Sequence, residues 1–362
     1  MIFARSPYIV TIDELAQEST RLELFLWNGT GAAPAAPTYS LSKKIPSSNQ
    51  LATYYNIAPF IREFFDFSQS GSGGSTNALA DDYSYCNVRY KRYYTLGGVE
   101  TLLDAKTDKA FDGFGYFEDQ SNYTGQLILL TDLSNYGGSN TYYYDCNSSP
   151  GSLTLNAVNL PLGDSWQVKY TNLNTGATQT DIITDDSVRY IEKVYSGWEA
   201  DGNIVEIFTY EFGIPPIITT YGTYYFVPQC ECRYEPVFIE FVNRFGGWQS
   251  EFFYKVSTEN VEMENNKFKT NPVPFPNYSL YQPQYQTFNT NAKRIIKANT
   301  GWVNENYKQV IEELLLSETI RVNRYPATLR TKSIEKFKSI NTKTINYQME
   351  FEMAYDVINS IS

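Results

Sequence analysis

The sequence predicts a mainly β protein built from several β-sandwich or β-barrel domains, with two principal packed helices. Three observations predict it. Apolar and polar residues alternate with a period of two in stretch after stretch, as half-buried strands require. Turn-forming Gly, Asn, Asp and Pro separate those stretches at the short spacing of sandwiches. Only two stretches carry the period of a helix.

In chain order, Tyr8 to Ile12 reads as a strand, and Leu22, Leu24 and Leu26 alternate with Glu23, Phe25 and Trp27 in the next. Asn28-Gly29 offers positive-φ residues for a hairpin turn toward a strand at Tyr39 to Ile45. Pro59 opens the first helix, expected to run to Phe67, because Pro suits the first helical position and Phe60, Ile61, Phe64 and Phe65 share a face. The Gly/Ser-rich run Ser68 to Thr76 is a loop. It lacks the register of a phosphate-binding turn. Strands at Val88 to Leu96, Gln126 to Thr131 and Thr141 to Asp145 complete a domain of residues 1–149.

A second, sandwich-like domain of residues 150–232 opens with Trp166, Val168 and Tyr170. It turns at Asn174-Thr175-Gly176, returns through Thr178, Thr180 and Ile182, and continues with strands at Ile204 to Phe212 and Thr219 to Val227. The third, residues 233–362, begins with a hairpin, Val237 to Arg244 and Trp248 to Val256, joined through Gly246-Gly247. Pro272, Pro274 and Pro276 then enforce extended backbone, read either as a crossover between strands or as an arm onto a neighbouring subunit. Tyr307, Val310, Ile311, Leu314 and Leu315 define a helix over residues 304–316. The terminal strand is the clearest element. Ile345, Tyr347, Met349, Phe351, Met353 and Tyr355 make a buried face, and Glu350, Glu352 and Asp356 lie on the other.

Composition limits the function. The 362 residues carry 29 Lys and Arg against 40 Asp and Glu, a net charge of −11, which argues against binding nucleic acid by phosphate neutralisation. There are 31 Tyr, 22 Phe and 5 Trp, and that aromatic content excludes disorder for the bulk of the chain. No histidine is present, which removes Ser-His-Asp and Cys-His nucleophilic sites, although codon bias also explains a missing rare residue. Adjacent acids at Asp81-Asp82, Asp185-Asp186 and Glu312-Glu313 are the candidates for a carboxylate-based glycosidase, and solvated turns and helix faces account for them better. Of the four cysteines, Cys230 and Cys232 would point to one face of a strand with their thiols about 7 Å apart, too far for an unstrained bond between them, and no paired CxxC turns exist for zinc. Cys86, Cys146, Cys230 and Cys232 are therefore expected to be buried free thiols in a reducing compartment, with no metal, cofactor or catalytic residue. No export signal and no membrane-spanning run is visible, so four N-glycosylation sequons read as chance and no membrane insertion is expected.

The residues at Tyr55 to Phe64, at Tyr234 to Gln249, and from Thr300 to Glu305 through Ile345 to Glu352 resemble tail proteins of phages that infect Bacteroidetes, the short-tailed crAss-like phages in particular. The resemblance covers about residues 230 to 362 well and 1 to 67 loosely. It implies a virion structural protein made in the bacterial cytoplasm, a homo-oligomeric tail hub or neck-to-tail ring subunit. Its implied partners are other tail and neck proteins, with DNA passing through the lumen unbound by sequence. Glu350, Glu352 and Asp356 are then the candidate lumen-facing or assembly residues, together with the three prolines. A receptor-binding or fibre-attachment module is the alternative.

Overall fold

The computed structural model describes residues 1–29, 31–45, 52–66, 85–122, 128–129, 141–146, 152–157, 165–183, 188–192, 194–211, 213, 215–231, 233–270, 281–304, 307–333 and 344–358. Among these the chain forms twenty-two strands and two α-helices, so the mainly β class with two helices holds. The chain divides into two compact units, residues 1–230 with 241–250 and 306–317, and residues 231–240 with 251–305 and 318–362.

The first unit opens with β1 (Ile2–Phe3), β2 (Ile9–Ile12), β3 (Ser19–Asn28), β4 (Tyr39–Lys44), β5 (Thr53–Asn56), α1 (Ala58–Arg62), β6 (Tyr85–Leu96) and β7 (Val99–Phe111). Five of these strands form a sheet in the order β1-β7-β6-β3-β4, and β2 pairs with β5 in a second, two-stranded sheet. Val10, Ile12, Tyr55, Ile57 and Ile61 pack on Leu22, Leu24, Leu26, Val88 and Tyr90, so a sandwich core forms on one face of the large sheet. The alternation of β3 is therefore used as expected, with its even-numbered leucines inward. The turn between β6 and β7 is a two-residue one, with Gly97 at φ +57° and Gly98 at +75°, values that L side chains adopt poorly. Glu18 accepts hydrogen bonds from both of these amides, at 3.1 and 3.2 Å.

Two local expectations change. Asn28 is not a turn residue: β3 runs through it alongside β6, and β4 pairs back only from Leu24↔Tyr39, which leaves a long connection instead of a tight hairpin. The Asn28 side-chain amide donates to the carbonyls of Phe64 (2.8 Å) and Tyr85 (3.2 Å). The first helix stops at Arg62 instead of Phe67. Its bonding tightens after Ile61 to i→i−3, Phe64 to Ile61 at 3.0 Å, and the capture of the Phe64 carbonyl by Asn28 diverts the next turn.

Next come β8 (Ile128–Leu129), β9 (Thr141–Asp145), β10 (Ser152–Ala157), β11 (Ser165–Asn172), β12 (Thr178–Ile183), β13 (Val188–Glu192), β14 (Asn203–Glu211) and β15 (Ile217–Gln229). They make a three-stranded sheet, β13-β10-β8, and a five-stranded one, β12-β11-β14-β15-β9. The turn expected at Asn174 to Gly176 is present. Asn172 Oδ1 accepts from the amides of Asn174 (2.9 Å) and Thr175 (2.8 Å), and Gly176 takes φ +71°.

The remaining elements are β16 (Val237–Val242), β17 (Trp248–Phe253), β18 (Thr258–Lys269), β19 (Tyr285–Asn304), α2 (Lys308–Leu316), β20 (Ile320–Val322), β21 (Tyr325–Leu329) and β22 (Thr344–Asp356). The strands form one seven-stranded sheet, β17-β16-β20-β21-β22-β19-β18. The hairpin turn between β16 and β17 is held by Asn243, whose Oδ1 accepts from Phe245 (2.9 Å) and Gly247 (3.2 Å). Gly246 is required there: its φ is +78°, and a Cβ would stand 2.8 Å from the Asp112 amide nitrogen. The second helix begins four residues later than expected, because Asn304 belongs to β19, but its face of Val310, Ile311 and Leu314 is buried as the spacing requires.

The cysteines overturn an expectation. Cys146 and Cys230 form a disulfide, with Cα atoms 5.3 Å apart and a separation of 84 positions in sequence. The cause is the parallel pairing of β9 with β15, which sets Asp145 opposite Gln229 and so brings the next residue of each strand face to face. Cys86 is a buried free thiol whose pKa is pushed up to about 12 by desolvation. Cys232 lies outside the described residues.

Candidate functional site

The candidate residues of the terminal strand sit in the middle of the seven-stranded sheet, not on its edge. β22 has β21 on one side and β19 on the other, and the outer strands are β17 and β18. Tyr347, Met349, Phe351 and Met353 are buried as the alternation requires. The Phe351 ring meets Phe253 edge-on, with centroids 6.4 Å apart.

On the opposite face, Glu350 and Glu352 do not stand as bare acids. Lys297 lies across from Glu350 in register and its Nζ reaches the carboxylate at 2.7 Å. Lys293 bonds Glu352 at 2.7 Å, and Arg330 approaches the same carboxylate at 3.7 Å while also holding Glu262 at 2.8 Å. Three acids thus face three bases across β18, β19, β22 and the segment after β21. The Arg330 bond holds the Glu262 carboxyl below its usual pKa, and the Glu352 bond holds the Lys293 ammonium above its own. Asp356 closes the strand opposite Lys293 and accepts from Asn291 Nδ2 at 3.1 Å. Pro272, Pro274 and Pro276 lie outside the described residues, as do the Gly/Ser run 68–76 and the acid pairs at 81–82 and 185–186.

The residues flanking the proline segment form a feature that sequence reasoning missed. β18 and β19 pair along their length, from Thr258↔Lys297 to Lys269↔Tyr285. β22 joins β19 only from Lys293 onward. Among the described residues, the far half of this hairpin is therefore a two-stranded ribbon, and every residue of β18 is exposed. Phe268 and Phe288, 46 % and 51 % exposed, touch edge-on on one of its faces with ring centroids 5.7 Å apart. Its only signal in sequence was the alternation of Val261, Met263 and Phe288 with polar residues, which does not distinguish a bare ribbon from a covered strand.

In the first unit, a chain of stacked cations and rings joins separate segments. The Arg5 guanidinium donates to the Leu316 carbonyl at the end of α2 (2.8 Å) and lies 4.9 Å from the Phe114 ring centre. Phe114 meets Tyr116 edge-on at 5.8 Å, and Arg244 lies 4.9 Å over Tyr116. Glu313, expected on a solvated helix face, is buried, and its carboxylate accepts from the Arg244 amide at 3.3 Å. Burial raises the Tyr116 pKa, with Glu312 and Glu313 adding to the effect. This network fastens α2 and the hairpin turn in place, and its groups are spent on one another.

No group of three or more Cys, Asp or Glu able to hold a metal ion occurs among the described residues, and no described helix is long and apolar enough to cross a membrane. Comparison with protein-family models, with curated proteins and with solved structures finds no match.

Proposed function

We propose that the chain is a non-enzymatic structural subunit that works as a homo-oligomer, and that it is a tail hub or neck-to-tail ring subunit in the virion of a tailed phage. The phage assignment rests on the resemblance of residues 230 to 362. The assembly reading is carried by one observation, the β18–β19 ribbon with its bare aromatic rings. A two-stranded ribbon is marginal in water by itself, and an uncovered edge invites pairing with another chain. In a closed ring each copy covers the ribbon of the next through a head-to-tail contact. The net charge of −11 suits a lumen through which DNA slides without sticking, although the Glu350 and Glu352 face, neutralised by Lys297, Lys293 and Arg330, contributes little to that repulsion.

A receptor-binding module is the second reading. It is favoured by Tyr325 and Tyr355, two exposed rings in edge contact at 6.3 Å that are suited to stacking on a sugar. Electron microscopy of the purified protein separates the two. Closed rings, lost when residues 264–290 are replaced by a short Asn-Gly turn, support the ring subunit. A monomer or trimer that binds host-surface polysaccharide supports the receptor module and overturns the ring.

A further inference from the structure

We infer that the outer face of the N-terminal five-stranded sheet, centred on Arg89 and Lys91, is a docking surface for the acidic exterior of a second copy of this chain. The inner face of that sheet is covered by the sandwich core. On the outer face the register sets Phe25 opposite Arg89, Glu23 opposite Lys91 and Arg21 opposite Tyr93, with Thr107 and Ala105 of β7 alongside Arg89 and Lys91. The far end of this face is closed by Met1, Phe3, Tyr85, Phe111 and Phe245. The rest carries no covering layer among the described residues. Its rim is small and exposed, made by Ser40, Ser42, Ala105 and Thr107.

The charges on this face are unequally satisfied. Arg21 stacks 4.2 Å from the Tyr93 ring centre, grips Glu100 through two bonds of 2.7 and 2.6 Å, and also bonds Glu23. The second oxygen of Glu23 accepts from the Tyr93 hydroxyl at 2.9 Å. Glu23 is thereby used up, and Lys91, its neighbour in register, is left without it. Lys91 Nζ lies 4.8 Å and the Arg89 guanidinium 6.0 Å from the Phe25 ring centre, and neither has an ion-pair partner among the described residues. The Phe25 ring gives the N–H donors of these two cations no anionic acceptor, so both can take an anionic partner while keeping the ring contact.

The occupant follows from charge. Two copies at −11 repel each other, and the contact that opposes this repulsion is one that sets a locally positive face against the acidic excess of the other copy. Such a contact uses different patches on the two partners, so it is head-to-tail. A nucleic-acid strand fits less well. Phe25 is only 3 % exposed and has no ring face left for a base, and the whole chain repels a long polyanion.

This inference rests on the assembly reading, and the test separates the two. Sedimentation of the full chain and of Arg89→Glu/Lys91→Glu is compared at low and high salt, with circular dichroism to check folding. Thr107→Glu, an exposed change on the same face, serves as a second variant. The expected result is a wild-type oligomer whose dissociation constant rises at least about tenfold from low to high salt as the charges are screened. Both variants then stay folded and monomeric at concentrations where the wild type is assembled. Variants that assemble like the wild type overturn the docking face and leave the assembly reading standing. A wild type that is monomeric at every salt and concentration overturns both. Retention of a labelled single-stranded oligonucleotide by the wild type, lost in the variants without any change in oligomeric state, assigns the face to nucleic acid and overturns the inference.

Discussion

Replacing Glu350 and Glu352 together with lysine tests whether the outward face of β22 is an ion-pair lattice or a solvated surface. Glu262, Glu350 and Glu352 face Lys293, Lys297 and Arg330, so the double change turns a neutral group of six into one with four net positive charges. The lost attractions are individually small. The Lys297–Glu350 pair is 33 % and 37 % exposed and Lys293–Glu352 48 % and 20 %, the regime in which a pair contributes about 0.2–1 kcal/mol. The new repulsions add up to about 1 kcal/mol for each lysine placed some 4 Å from another in water. The expected loss is therefore about 1–3 kcal/mol, with the fold retained because Tyr347, Met349, Phe351 and Met353 on the other face are untouched. Urea denaturation at low and at high salt measures it, and screening should recover much of the loss at high salt. A quadruple variant that also carries Lys293→Glu and Lys297→Glu restores opposite charges across the strands and should recover stability. A double variant as stable as the wild type at low salt, or a loss indifferent to salt and to the charge swap, would refute the lattice.

Reduction of the Cys146–Cys230 bond, or Cys146→Ser, should lower the melting temperature, since a cross-link spanning 84 residues contributes up to about 4.5 kcal/mol by chain entropy. Melts with and without reductant check this, and Cys86→Ala should keep the reductant dependence. Glu240→Leu should stabilise the protein by ~1–3 kcal/mol in urea titrations, because Glu240 is buried with neither carboxylate oxygen hydrogen-bonded. Asp104 is held below its usual pKa by a two-pronged bond from Arg92, at 2.6 and 2.5 Å. A depressed carboxylate contributes stability that is present above its unfolded value near 3.8 and lost as pH falls through the lower folded value. Asp104→Asn should therefore lower stability at neutral pH by less than about 1 kcal/mol and flatten the loss below pH ~4, measured by melts from pH 2 to 7.

The sequence by itself determined the mainly β class and which face of many strands is buried, because alternation is a local property that any half-buried strand must carry. The even leucines of β3 and Tyr347, Met349, Phe351 and Met353 of β22 point inward as read, whereas Tyr355, read onto the same face, is exposed near the strand's end. Turn positions whose chemistry is complete within a few residues were legible in the same way, such as Asn172 to Gly176 and Asn243 to Gly247. Helix ends were not, since Asn28 truncates α1 from a strand 36 residues upstream in sequence. Pairing partners lie further beyond local pattern. A period of two says that Glu350 and Glu352 share a face, but only the tertiary structure sets Lys297 across from Glu350, brings Lys293 within reach of Glu352 and places β22 inside the sheet. It likewise makes a disulfide of two cysteines 84 residues apart and buries Glu313, because register and layering depend on which strands meet, and that is decided by the burial available to the whole chain.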